Sequence, residues 1–309
     1  MKYKFFALGS QVEVFFVAEN EKEKRKAKLD AKRVKHFFLS KQKVFCRFNL
    51  ESELSKLNSN LGVWQKVSPD MLYLAKRTLF YYRESGGLYD PRVIDVLEEI
   101  GYKSGKSTVA KLALESGKLK NLAVDLRIRQ GKMFFSRRMD FSGIAKGHII
   151  DLAASFLKKR GWKNFFINVN GDAYAAGRNA RGEKWKLPIE GARDKKAAIF
   201  LSNRAAATSG VIKRQWKVRG KKVHHLINPK YPNFFSFEIR SVVIINTKAE
   251  WADGRAKVLI LMGAKKGLTF AKKKKLRAIF VDNQGKVSYS ARAKKYFSRR
   301  SLLQRTSTL

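Results

Sequence analysis

Asp253 and Lys257 stand four residues apart in the segment KAEWADGRAKVLILMG, residues 248–263. Side chains at this spacing share one face of a helix, so a carboxylate and an ammonium group would meet there. A carboxylate can bind a metal ion, whereas a protonated lysine has no lone pair to offer one. The pair therefore allows three interpretations: a metal site, the remnant of one, or a surface ion pair worth about 0.3–0.5 kcal/mol.

His225, which follows His224 in the segment HHLINP, has a side chain that can act as a general base. An imidazole titrates near neutral pH and can take a proton from a hydroxyl group. The alternative is a histidine packed in a strand, with its neighbour His224 directed to the opposite face. The four histidines of the chain form no spaced metal-ligand cluster.

Three further segments could contact a phosphate or an aromatic ligand. The glycines of SGIAKG, residues 142–147, let backbone N–H groups approach an anion at a helix start, and Lys146 would add a positive charge. ATSG, residues 207–210, reads as a small-residue turn after a strand. Tyr89 in SGGLYDP offers a ring for stacking, or packs in the core. For the two small-residue segments the alternative is an ordinary turn.

Composition limits the class of protein. The 309 residues are 44% hydrophobic, which is enough for a sizeable core. Lys and Arg number 67 against 25 Asp and Glu, and the net charge of +42 attracts polyanions such as nucleic acid, anionic lipid or a phosphate-rich ligand. The basic residues are spread along the chain, which favours solvated basic faces over one recognition stripe. A single cysteine, Cys46, excludes an internal disulfide.

Known local motifs are absent: the chain has no Walker loop, GxGxxG fingerprint, zinc spacing or GxSxG elbow. Polar and apolar residues alternate from Gln11, which is typical of a strand and not of a signal peptide. No segment is long enough to span a bilayer. We expect a cytoplasmic protein from the chain as it stands, or a periplasmic or membrane-associated one if the sequence has been trimmed.

The order of predicted elements indicates an α+β fold without strict strand–helix alternation. Residues 49–60, NLESELSKLNSN, read as a polar, turn-forming segment. Strands are predicted in FFINV, DAYAAG, WKLPIE and AAIFLSN, and hairpins around Gly131 and over 277–290. Helices are predicted over 20–45, from Ser68 and Pro69 to Gly86, over 143–161, and over 249–262 with a second helix through the lysine run.

Seven segments in this order resemble the ApbE family, the FAD:protein FMN transferases: SELSKLN, SGGLYDP, MDFSGIAKGHIID, NVNGDAYAAG, ATSG, HHLINP and AEWADGRAKVLILMG. The resemblance runs from FFALGSQVEV to about residue 285. It implies an α+β, ApbE-like fold with mixed or antiparallel sheets and packed helices. It also implies binding of FAD, cleavage of its diphosphate, transfer of FMN to a Ser or Thr of an acceptor flavoprotein, and release of AMP, usually assisted by Mg²⁺.

The resemblance also implies roles for individual residues. His225, Asp253 and Lys257 take the catalytic positions, and the metal ligands are Asp253 and the backbone carbonyl of Ala145. Asn170 stands where the family has a glycine, which asparagine can replace in the left-handed conformation. The expected FAD-contacting residues are Tyr89, Asp140, Ser142, Gly143, Ala145, Lys146, Gly171, Thr208, Ser209 and Gly210. One domain, or two interleaved lobes, is expected over 1–300, with a loose tail at 301–309.

Three positions depart from the family pattern. Lys257 replaces a metal-site threonine, Asn228 replaces an aspartate, and KYPNFF follows Pro229 in place of a Thr-Gly pair. Lys257 could neutralise the diphosphate in place of the metal, or the site could have lost catalysis. The alternatives are therefore a homologue that binds or hydrolyses FAD without transfer, and a basic protein that binds nucleic acid or a membrane surface.

Overall fold

The computed structural model describes residues 1–102 and 120–297, together with the backbone of Ser307 and Thr308. The helices of these residues are α1 (Glu21–Phe45), α2 (Glu53–Ser59), α3 (Pro69–Glu84), α4 (Ile94–Glu99), α5 (Leu122–Asp125), α6 (Ser142–Lys159) and α7 (Ala249–Lys273). Short 3-10 helices cover Pro91–Val93 and Ala291–Tyr296. Apart from Ser307 and Thr308, the expected tail at 301–309 lies outside the described residues.

The strands are β1 (Lys2–Ala7), β2 (Ser10–Phe16), β3 (Trp64–Lys66), β4 (Leu126–Arg129), β5 (Lys132–Phe135), β6 (Phe165–Val169), β7 (Asp172–Ala176), β8 (Trp185–Pro188), β9 (Ala198–Leu201), β10 (Arg204–Gly210), β11 (Gln215–Val218), β12 (Lys221–His224), β13 (Ile239–Asn246), β14 (Arg277–Asp282), β15 (Val287–Tyr289) and β16 (Ser307–Thr308). Within the described ranges, nine of them form the main sheet in the order β1-β2-β6-β7-β10-β13-β14-β15-β16. Neighbouring strands of this sheet are antiparallel, except that β15 and β16 are parallel.

The main sheet has an apolar layer on each face, and β13 shows how its residues divide between them. Val242 and Ile244 pack in the cluster that contains the apolar side of α7. Val243 and Ile245 lie in the cluster on the opposite face, beneath β9 and the second 3-10 helix. Alternation of this kind follows from the two-residue period of a strand. The predicted α+β class is confirmed.

The long helices begin and end where the sequence indicated. The Ser68 hydroxyl accepts a hydrogen bond from the Met71 N–H at 3.2 Å, and Pro69 is the first residue of α3. Helix α7 is broken at Gly263, whose φ of 77° and ψ of 173° divide it into two helical parts. The predicted helix over 249–262 and the second helix after it are therefore both present.

Two local predictions were wrong. Residues Glu53–Ser59 form helix α2 and not a turn, because Leu54 and Leu57 share one face and are almost completely buried. ATSG is not a turn: Thr208–Gly210 are the last residues of strand β10, paired with β13. Small and polar residues are typical of turns, but here tertiary packing outweighs that local preference. Within the described residues, no helix combines the length and apolar character that a membrane crossing needs.

Candidate active site

A cavity of about 600 Å³ lies between the N-terminal part of α6, the end of β10 and the third and fourth turns of α7, where Lys257 and Leu261 lie. Its volume falls in the range of small-molecule sites, roughly 300–1,000 Å³. Gly171 lines an adjoining cleft of about 380 Å³, and Asp253 is buried behind Lys257. All the other predicted site residues line the cavity itself: Tyr89, Asp140, Ser142, Gly143, Ala145, Lys146, Thr208, Ser209, Gly210, His225 and Lys257.

Two buried carboxylates and two ammonium groups form a cluster at this wall. Asp172, the first residue of β7, accepts hydrogen bonds from the Thr208 N–H at 3.0 Å and from the Lys146 ammonium. Asp253 accepts one from the Gly147 N–H at 3.2 Å and one from the Lys257 ammonium. Both oxygens of each carboxylate therefore have a donor, and each negative charge is paired.

Gly147 makes the contact with Asp253 possible because α6 and α7 approach backbone to backbone at this point. A Cβ atom on Gly147 would lie 2.7 Å from the carbonyl oxygen of Ala249 and from backbone atoms of Glu250. No side chain fits in that space. The glycine thus brings the Gly147 N–H within hydrogen-bonding distance of Asp253.

Burial and charge act against each other on the pKa values of this cluster. Burial alone would lower the pKa of Lys146, but the carboxylates of Asp172 and Asp253 outweigh it and the pKa is raised. Burial raises the pKa of Asp253, and the nearby Asp172 adds to this, while Lys257 and Lys146 oppose it. The ammonium groups of Lys146 and Lys257 thus offset part of the cost of burying a carboxylate at this wall.

His225 follows the end of β12 and lines the cavity, while His224 packs away from it. The imidazole of His225 lies parallel to the Tyr102 ring, with centroids 5.8 Å apart and 13° between the planes. Its Nδ1 atom is buried without a hydrogen-bond partner among the described residues. Burial lowers the pKa of His225 to about 3, helped by the positive charges of Arg214 and Lys257. The ring is therefore neutral at pH 7.

SGIAKG forms the first two turns of α6, where most of its backbone N–H groups are already engaged. The Ser142 N–H donates to Asp140 at 2.7 Å, and the N–H groups of Ile144 and Ala145 donate to the Phe141 carbonyl at 3.1 Å. The helix predicted over 143–161 therefore includes this segment, as expected from its place at a helix start. Its position inside the helix means that side-chain cations supply more of the site's positive charge than backbone donors do.

Tyr89 packs against the start of α6 at Gly143. A Cβ atom at Gly143 would lie 2.8 Å from the Tyr89 hydroxyl, so this contact requires glycine. The Tyr89 ring also packs on Tyr81, with centroids 5.5 Å apart. Its hydroxyl group has no hydrogen-bond partner in the described part of the chain. The stacking role of Tyr89 stays a prediction.

Asp140 joins the start of α6 to a residue that the sequence did not single out. Its carboxylate accepts from the Ser142 hydroxyl at 2.9 Å and pairs with the Arg47 guanidinium at 3.1 Å. The Arg47 guanidinium also lies 5.5 Å from the centre of the Tyr102 ring. Asp140 thus positions the wall of the cavity that includes Arg47, Tyr102 and His225.

The remaining predicted residues lie at the end of β10 and at the turn between β6 and β7. The Thr208 hydroxyl lies 3.4 Å from the Gly171 carbonyl, and the Ser209 hydroxyl is buried without a partner among the described residues. Asn170 has a φ of 52°, the left-handed conformation predicted for it. These groups place small polar side chains between the cavity and the adjoining cleft.

Sequence reasoning missed Arg47, Tyr102 and Arg214, all of which line the cavity. Arg214 donates to the Tyr102 hydroxyl at 2.9 Å, and this contact fixes the ring on which His225 lies. In a chain with 67 basic residues, the two arginines carry no local signal that separates them from the surface charge. Tyr102 ends a short helical segment and gives no sign of its long-range partners.

The donor set does not fit the Mg²⁺ that the resemblance implies. Magnesium requires oxygen ligands in near-octahedral geometry, yet both oxygens of Asp253 already accept hydrogen bonds. Ala145 lies inside α6, where carbonyl groups accept from the N–H four residues on. The described residues contain no group of three or more His, Cys, Asp or Glu side chains that could hold a metal ion.

The fold and the cavity together define an α+β protein whose basic pocket suits a ligand that carries phosphate. A family model described as the ApbE family matches residues 8–280, and the chain belongs to that family. A relative from Haemophilus influenzae, named FAD:protein FMN transferase, is 26% identical over 251 residues, covering 76% of this chain and 72% of the relative. A second relative of that name, from Vibrio cholerae, is 25% identical over 195 residues, or 62% of this chain and 55% of the relative.

Solved structures share the fold. The Pseudomonas stutzeri flavinyl transferase ApbE, in its apo form, superposes with a TM-score of 0.83 at 20% identity and covers 96% of both chains. The ApbE protein of Thermotoga maritima gives a TM-score of 0.83 at 20% identity, with 97% of this chain and 99% of that chain covered. The predicted ApbE-like fold is therefore confirmed.

Proposed function

We propose that the chain is an FAD:protein FMN transferase. It binds FAD in the cavity, cleaves the diphosphate, attaches FMN to a Ser or Thr hydroxyl of an acceptor flavoprotein and releases AMP. The observation that carries this proposal is the meeting of a neutral histidine, His225, with the cationic side chains of Lys146, Lys257 and Arg214 around one cavity. The names of the relatives from Haemophilus influenzae and Vibrio cholerae support it.

The cationic side chains bind the diphosphate and stabilise its negative charge. Phosphoryl transfer depends mainly on positioning and on charge stabilisation at the phosphate oxygens. Lys146 and Lys257 stand at the cavity wall on two facing helices, held there by Asp172 and Asp253. An ammonium group has three N–H donors, so each lysine can keep its carboxylate partner and still donate to a phosphate oxygen. No step needs an oxygen of Asp253 to be free for a metal ion.

His225 takes the proton in the transfer step. The acceptor oxygen forms a bond to the phosphorus of the FMN half, the bond from that phosphorus to the bridging oxygen breaks, and AMP leaves with the bridging oxygen. The proton of the hydroxyl group passes to His225. The pKa of His225 is low in the free cavity because of burial and the charges of Arg214 and Lys257. Binding of the anionic diphosphate offsets those charges and raises the basicity of the ring.

Labelling of an acceptor tests the proposal. The purified chain is incubated with FAD and an acceptor flavoprotein domain, and the products are separated on a denaturing gel. We expect flavin fluorescence on the acceptor, a mass gain of one FMN less one water, and AMP in equal amount. An acceptor domain whose target Thr or Ser is changed to Ala is the matched control and should stay unlabelled.

Substitution of the proposed base supplies a second control. His225→Asn should reduce the labelling rate by about 10²- to 10⁴-fold, the usual contribution of a general base, while FAD binding persists. Release of free FMN and AMP without any labelled acceptor would show an FAD-hydrolysing homologue. Failure to bind FAD, together with salt-sensitive binding to unrelated DNA, would show a nucleic-acid-binding protein.

A further inference from the structure

The position of Lys257 relative to Asp253 determines which of the two side chains a bound diphosphate would contact. The Asp253 side chain is 1% exposed, whereas that of Lys257 is 17% exposed and lines the cavity. The ammonium group therefore lies between the buried carboxylate and the space for the ligand. A ligand in the cavity contacts the cation and not the carboxylate.

Lys146 of the facing helix α6 and Asp172 of β7 form a second pair of the same kind. The Asp172 side chain is 1% exposed and that of Lys146 is 18% exposed, and Lys146 also lines the cavity. Each carboxylate is satisfied from behind by a backbone N–H, from Thr208 or from Gly147. Two cations are thus anchored at their carboxylates with their remaining N–H groups available toward the cavity.

We propose that the Lys257 ammonium is a tethered cation that stands in place of a divalent metal ion, so that this chain binds the FAD diphosphate and cleaves it without Mg²⁺. This inference rests on the proposed function. A divalent ion at Asp253 would have to displace an ammonium group already bound there, and a protonated lysine cannot join the coordination of the ion. A lysine on a flexible stem can instead follow the phosphate charge while it keeps its tether.

The site differs from one that has simply lost its metal ion. A lost site would leave Asp253 as an uncompensated buried charge, or would replace it with a neutral residue. Here the carboxylate is retained and fully hydrogen-bonded, and its partner is directed along the cavity wall. Asp253 therefore acts as a positioning residue for Lys257.

Titration with FAD in the presence and absence of Mg²⁺ tests the inference without measuring transfer. Binding is followed by calorimetry for the wild-type chain, Lys257→Thr and Lys266→Thr, each with EDTA and with excess Mg²⁺. Lys266 is an exposed lysine of the same helix α7 and serves as the matched control. We expect EDTA and Mg²⁺ to give the same dissociation constant for the wild type and for Lys266→Thr.

For Lys257→Thr we expect FAD binding in EDTA to weaken by roughly 10- to 100-fold, the loss of one charged hydrogen-bond donor, and Mg²⁺ to recover most of it. Wild-type binding that fails in EDTA and returns with Mg²⁺ would overturn the inference while leaving the proposed function intact. No FAD binding by the wild type under either condition would overturn both. The wild-type measurements decide the question even if the Lys257→Thr chain does not fold.

Discussion

Helix α7 carries two buried carboxylates within one turn, Glu250 and Asp253, and both residues have 0% exposure. Glu250 is paired with Arg77 of α3, whose Nε atom lies 3.0 and 3.1 Å from the two carboxylate oxygens. Asp253 is paired with Lys257 of its own helix. The two pairs differ in the cation, in its origin and in what surrounds it.

Aromatic rings enclose the first cation, whereas the cavity borders the second. The Arg77 guanidinium lies 4.3 Å from the centre of the Trp251 ring and 4.5 Å from that of Phe80. Arginine has a rigid fork that suits a fixed, packed pair, and lysine is a flexible point charge. An arginine from α3 therefore pairs with the carboxylate where two helices are held together, and a lysine of α7 itself pairs with the carboxylate that lies behind the cavity wall.

Removal of Arg77 should have the largest effect. Arg77→Ala leaves the Glu250 carboxylate buried without its cation, and loss of one partner of a buried ion pair costs about 3–5 kcal/mol. Urea denaturation followed by circular dichroism measures the free energy of unfolding. Arg83→Ala, at an exposed arginine of the same helix, is the control and should change it by less than about 0.5 kcal/mol. An equally small effect for Arg77→Ala would show that the Arg77–Glu250 pair does not stabilise the fold.

Removal of Lys257 should destabilise the fold less. In Lys257→Met, water in the cavity can approach Asp253, which also keeps the Gly147 N–H. We expect a loss of about 1–3 kcal/mol, the cost of one unsatisfied polar group, measured by the same denaturation. The double variant Asp253→Asn/Lys257→Met should recover part of this loss, because it removes both charges. A loss for Lys257→Met as large as that for Arg77→Ala would show that both pairs have the same structural role.

The two pairs also show how much of this molecule the sequence could predict. Asp253 and Lys257 lie on one helix at a spacing of four, so their contact follows from local geometry and was foreseen. Glu250 and Arg77 are separated by 173 residues, and nothing in either segment indicates the other. The same holds for Lys146 and Asp172, whose contact joins a helix to a strand. Local spacing predicts contacts within an element, and only tertiary packing decides the rest.

The helices and strands were likewise predicted correctly where local signals were strong, and wrongly where tertiary packing decided the structure. Helices α3 and α6 have clear capping or glycine signals and apolar faces, and the sequence predicted both. Helix α2 and the end of β10 were misread, because serine, threonine and asparagine favour turns unless burial of their neighbours decides otherwise. Most of the site residues that the resemblance to the family implied do line one cavity. Arg47 and Arg214 line the same cavity, but the sequence did not identify them.

The smallest expected effect is a change in the titration of His225, which distinguishes the cation at the cavity from the one in the core. Burial, Arg214 and Lys257 lower the pKa of His225 to about 3, from the ordinary value of about 6.5. The unfolded chain therefore binds a proton that the folded site excludes, so this histidine makes the fold less stable as pH falls from about 6.5 towards 3.

Lys257→Met removes one of the charges that lower the pKa of His225, and we expect this pKa to rise while burial and Arg214 keep it below 6.5. Proton NMR of the imidazole C2–H signals measures this, with His225→Asn to identify the signal and Lys266→Met as the control. An unchanged pKa in Lys257→Met would mean that the Lys257 charge does not act on the space where the transfer is proposed to occur.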